Sequence, residues 1–85
     1  MEESEKLRAE IELAEALLRT EASQLEELGE KRRLIVDGIA ELQGPSEMWA
    51  TYVADVDAMI AMTRARIDEL MTLRDESQAR LAMRQ

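Results

Sequence analysis

Gln43-Gly44-Pro45-Ser46 decides the fold of this 85-residue chain. Gly44 suits the left-handed C′ position that ends a helix. Pro45, the sole proline, has no N–H to donate and its ring clashes with a preceding helical turn. Ser46 is a preferred N-cap for the helix that follows. One helix is therefore expected to end here and another to begin, with residues 44–46 as the turn. So short a connection favours antiparallel neighbours.

Outward from the turn, both flanks carry the same spacing. Before it, Ile11, Leu18, Leu25, Arg32 and Ile39 recur every seven residues at heptad position a, and Leu7, Ala14, Glu21, Leu28, Ile35 and Leu42 at d. After it, Val53, Ile60, Ile67, Arg74 and Leu81 fall at a, while Trp49, Val56, Thr63, Leu70, Ser77 and Arg84 fall at d. Ser4 is a candidate N-cap for the first helix, with Glu2, Glu3 and Glu5 near the positive end of its dipole; Arg80 and Arg84 suit the last carbonyls of the second. The predicted helices cover about 4–43 and 47–83, each about 60 Å long at 1.5 Å per residue. The expected fold is all-α: residues 1–85 form a single antiparallel two-helix coiled-coil hairpin.

Composition agrees with that expectation. Apolar residues are 46% and charged residues 35%, while Trp49 and Tyr52 are the only aromatics. Long helices use Ala, Glu, Leu and Arg in this way, whereas β folds need more aromatic and β-branched residues. The apolar fraction is also too high, and too regularly spaced, for a disordered chain. A chain of this size buries only about 60% of its unfolded surface, so it depends on regular architecture or on a partner.

The seam suggests a register. If facing residue numbers add to 95, Ile39 meets Val56, Ile35 meets Ile60 and Leu28 meets Ile67. Arg32 then lies beside Thr63, and Glu21 meets Arg74 as a polar pair, so polar exceptions face one another. A register adding to 88 is better centred on the turn, but it sets Glu21 against Ile67 and Arg32 against Val56. Unpaired charge in a seam is costly, which favours the first arrangement. That arrangement requires the second helix to overshoot the first, leaving Trp49 and Tyr52 near an exposed tip, either as a cap or as a partner's anchor.

Several kinds of chemistry are excluded. With no Cys and no His, disulfides, thiol chemistry and the usual transition-metal ligand sets are absent, as is the base of a serine nucleophile. Gly29, Gly38 and Gly44 form no phosphate loop. Carboxylate pairs such as Glu26-Glu27 and Asp75-Glu76 read as solvated helix faces rather than as an acid/base pair. No catalytic, cofactor or metal site is expected. The longest apolar run, Ala58 to Met62, is far too short to span a bilayer, and Met-Glu-Glu-Ser-Glu does not start a signal peptide. A net charge of −8 repels nucleic acid and anionic membrane, and either solubilises the chain or attracts a basic partner. A cytoplasmic location is the expectation.

Surface remains for binding. Leu13, Leu17 and Leu34 lie off the first seam, and Tyr52, Met59, Met62, Met71 and Leu73 off the second. Two helices cannot cover this much apolar area. Either the hairpin dimerises into a four-helix bundle, or Trp49, Tyr52, Met59, Met62, Met71 and Leu73 meet another protein. Six methionines suit an adaptable binding surface or the gaps of a bundle core.

Met48-Trp49-Ala50-Thr51-Tyr52, continued by Met59, Ile67 and Leu70 and by the closing Ala82-Met83-Arg84-Gln85, resembles the FliJ family of flagellar export stalk proteins and their type III secretion relatives. Their long helical hairpins carry an aromatic pair three residues apart, which Trp49 and Tyr52 match. The resemblance implies a cytosolic stalk that inserts into the export ATPase ring, couples it to the export gate and handles export chaperones. This chain is shorter and more acidic than is usual for that family.

Overall fold

The computed structural model describes residues 2–41 and 47–84. Two helices account for nearly all of them: α1, Glu3–Glu41, and α2, Glu47–Met83. They lie antiparallel against each other in a rod of 63 × 17 × 15 Å. The expected turn, with Leu42 and Gln43, lies outside the described residues. No strand occurs among those described.

The ends of the helices follow from local hydrogen bonding. The N–H of Lys6 donates to the carbonyl of Glu2 at 3.1 Å, so Glu2 is the N-cap. Ser4, the expected cap, lies inside the first turn instead. Starting earlier places Glu3 and Glu5 in that turn, where their negative charge complements the exposed amides. At the other end the N–H of Arg84 donates to the carbonyl of Leu81 at 3.1 Å, tightening the last turn. The Arg84 guanidinium reaches across to Glu3.

The seam is the one the heptads predict. Every described a and d position from Leu7 to Leu81 is buried or half-buried. The register differs from the expected one. Across the interface Glu3 pairs with Arg84, Glu10 with Ser77 and Glu21 with Arg66, residue numbers that each add to 87. Arg32 pairs with Asp57, adding to 89. The helices therefore adopt the register adding to 88. Glu21 does not meet Arg74, whose guanidinium lies 3.1 Å from the neighbouring Asp75 on its own helix.

Two physical reasons explain the choice. The edges of a two-helix seam are open to water, so the charges need not be buried unpaired: Arg32 turns sideways to Asp57, and Glu21 accepts from Arg66 Nε at 3.2 Å. Small residues also face the long polar ones. In this register Val56 lies opposite Arg32 and Ala14 opposite Arg74, and both Val56 and Ala14 are fully buried. The aliphatic stems of the arginines thus occupy seam volume while their charges leave it.

The remaining polar seam positions are satisfied. Thr63 Oγ1 donates to the Met59 carbonyl at 2.9 Å and accepts from Arg66 Nη2 at 3.3 Å. Ser77 Oγ lies 3.5 Å from the Glu10 carboxylate. No buried side-chain polar atom among the described residues lacks a partner.

Candidate functional site

In this register Glu41, where α1 ends, faces Glu47, where α2 begins. Neither helix overshoots the other, and the expected exposure of Trp49 at a projecting tip does not arise. Trp49 is half-buried in the last seam layer, where it lines a recess of about 310 Å³ with Leu34, Ile35, Gly38 and Ile39. A Cβ added at Gly38 would meet nothing within 4 Å. The missing side chain helps keep this recess open. Trp49 and Tyr52 pack edge to face, with ring centroids 6.3 Å apart and an interplanar angle of 76°.

A two-helix coil covers only one stripe of each helix, so apolar residues at other positions stay in water. Here they fall on one side. Of the eleven exposed large apolar residues described, Leu13, Leu17, Leu34, Met48, Tyr52, Met59, Met62, Leu73 and Met83 occupy positions g and c. Only Val36 and Met71 occupy position e, on the opposite side of the seam. In an antiparallel pair the g positions of the two helices adjoin, with the c positions beside them. These residues therefore share a face rather than encircling the rod.

The face has a floor and two rims. One open trough of about 390 Å³ brings Gln24, Glu27, Leu28 and Lys31 of α1 together with Met59, Met62, Thr63 and Arg66 of α2. A second of about 300 Å³ joins Leu17 and Glu21 to Arg66, Glu69, Leu70 and Leu73. Arg66 lines both, so the two hollows adjoin, and the Trp49 recess lies farther along the same side of the rod. Met59 and Met62 are 51% and 60% exposed, and Leu34 and Leu73 are 58% and 50%. Side chains this open contribute little to the hairpin's own stability and are free to be covered by a partner.

Both cations in these hollows already have partners. Arg66 Nε lies 3.2 Å from both carboxylate oxygens of Glu21. Lys31 Nζ stands 5.4 Å from the centroid of the Tyr52 ring. The other ion pairs lie elsewhere. Arg32–Asp57 spans the opposite, e-position side, and Arg33 clasps Glu30 and Asp37 on the back of α1. Those contacts shift the groups involved. The Arg33 hydrogen bond and charge hold the Glu30 carboxyl below its usual range, and Glu30 and Asp37 together raise Arg33. The Asp57 hydrogen bond and charge likewise raise Arg32.

Of the residues expected to bind a partner, Tyr52, Met59, Met62 and Leu73 come together on this face. Trp49 closes one end of it from within the seam. Met71 lies on the far side. Leu13, Leu17 and Leu34 join the face from α1, and their g and c positions in the heptad were the available signal. Among the described residues no group of three or more acidic, His or Cys side chains converges on a metal position. No helix among them is long and apolar enough to cross a membrane. Compared with protein-family models, curated proteins and solved structures, the chain matches none.

Proposed function

We propose that this protein is a non-enzymatic, cytoplasmic protein-binding hairpin that docks a helical partner along its g/c face. The observation carrying this reading is the one-sided gathering of exposed Met and Leu side chains along adjoining troughs. A monomeric helical rod ordinarily hides such a stripe. Methionine side chains are flexible and polarisable, so they fit an irregular apolar partner at low conformational cost. The opposite face carries Ala22, Gly29, Asp57 and Arg64 at its e positions and offers no comparable apolar strip.

The test compares two substitutions of the same kind on opposite faces. Native chain, Met59→Asp and Met71→Asp are each used to capture partners from the source cells, with helicity checked by circular dichroism. A partner held by the native chain and by Met71→Asp, and lost with Met59→Asp, is the expected outcome. Equal retention by all three chains would remove the reading. Self-association into a four-helix bundle is the competing use of the same face; sedimentation showing a dimer at all concentrations, abolished by Met59→Asp, would favour it.

A narrower form of this reading is the export stalk. The rod shape and the spacing of Trp49 and Tyr52 support it, and the partner would be an export ATPase ring subunit or an export chaperone. Binding of such an ATPase by the native chain, weakened in Trp49→Ala, is the result that reading requires.

A further inference from the structure

The rims of the trough carry charge of one sign. Along the stretch that faces the trough, c positions supply Glu27 from α1 and Asp55 and Glu69 from α2, with Glu41 and Glu76 just beyond its ends and no Lys or Arg among them. Two exposed leucines sit in notches edged by carboxylates. Leu34 lies with Glu26, Glu27 and Glu30, beside Ser23 and Lys31, and Leu73 with Asp68, Glu69 and Glu76. Glu26, Glu27, Asp68, Glu69 and Glu76 make no ion pair with any described residue. The trough's own cations, Arg66 and Lys31, are held by Glu21 and by the Tyr52 ring. The apolar side of the rod is thus flanked on both helices by carboxylates without an ion pair, Glu26 and Glu27 on α1 and Asp68, Glu69 and Glu76 on α2.

Resting on the helix-docking reading, we propose that the occupant is a basic amphipathic helix of another protein, about 20 residues long, lying in the trough as the third helix of a bundle. The length follows from the span of the three hollows along this side, from Leu17 to Ile39, about 33 Å at 1.5 Å per residue. The apolar stripe of the incoming helix covers Met59, Met62, Leu34 and Leu73. Lys and Arg flanking that stripe meet the two rims, where opposite charges steer encounter and select against other partners. A second copy of this chain is disfavoured by the same rims. Face-to-face dimerisation would set acidic rim against acidic rim in two molecules of net charge −8. An anionic lipid surface meets the same repulsion.

The experiment uses the full chain and two synthetic peptides of about 20 residues without Trp. Both carry Leu at helical three-four spacing; one is flanked by Lys and Arg, the other by Glu. Calorimetry gives affinity, and the fluorescence of Trp49, in the recess farther along this side, reports occupancy. The basic peptide is expected to bind about tenfold or more tighter than the acidic one, a gap that narrows in about 0.5 M salt. A Glu27→Lys, Glu69→Lys double variant should reverse the preference. Met59→Asp should abolish binding of the basic peptide and Met71→Asp leave it intact. Equal affinity for both peptides overturns this inference while leaving helix docking in place. Binding of neither peptide by a chain that sediments as a Met59-dependent dimer makes the second copy the occupant. Binding of neither by a monomer overturns this inference and the docking reading together.

Discussion

Arg32 shows how a single residue shapes this seam. It occupies an a position, half-buried, and turns out to Asp57 rather than meeting an apolar partner. Exposed ion pairs of this kind contribute little, whereas a branched aliphatic side chain opposite Val56 would add buried apolar area. Arg32→Leu is therefore expected to raise Tm by about 5 °C in thermal unfolding followed by circular dichroism. An unchanged or lower Tm would mean that the Asp57 contact holds the helices together more firmly than this account allows. Glu30 gives a second residue-scale prediction. Arg33 favours its ionised form, so Glu30 should titrate below the usual carboxylate range by NMR, and Arg33→Gln should move its midpoint upward. The sign is fixed by linkage. A depressed folded-state value gives stability that is present above the ordinary carboxylate pKa and is lost as pH falls through the depressed one.

The pairing of the two helices has a direct test, because the chain contains no cysteine of its own. In the register adding to 88, Leu18 faces Leu70. Leu18→Cys with Leu70→Cys should oxidise readily, and Leu25→Cys with Leu70→Cys should not. The reverse pattern would restore the register adding to 95. Sequence reading reached the hairpin because heptad spacing and the helix-breaking pair Gly44-Pro45 are local signals. It missed the register because matching polar residue with polar residue treats seam charges as buried. In a two-helix coil they escape sideways, so a long polar side chain can face a small residue, as Arg74 faces Ala14, or leave the seam edge for a partner, as Glu21 does to Arg66. The exposed apolar face was partly legible for the same reason. The exposed Met and Leu residues could be named from the seam, but Met71 was grouped with them because a residue outside the seam was not assigned to one side or the other.

At the scale of the whole molecule, the described residues of the two helices meet along one thin interface. Of the apolar side chains described, only Leu7, Ala14 and Val56 are fully buried. Covering the g/c face should therefore stabilise the hairpin as well as occupy it, since a ligand that binds only the folded state shifts unfolding by mass action. A bound partner is expected to raise Tm in proportion to the logarithm of its free concentration. A partner that binds without raising Tm would have to engage the unfolded chain equally.

The Glu3–Arg84 contact joins residues 81 positions apart in sequence, whereas contacts nearer residues 41 and 47 enclose progressively less chain. Such an arrangement is expected to open like a zip, from the end where Glu3 meets Arg84, because each layer is held in place by the layer inside it. Amide exchange in the folded protein should then be fastest around Leu7 and Leu81 and slow progressively toward Ile35 and Val53. Uniform exchange along the rod would mean that it opens all at once. A gradient would place Met59 and Leu34 on the part that stays closed longest, so a partner could still be held there while the far end breathes.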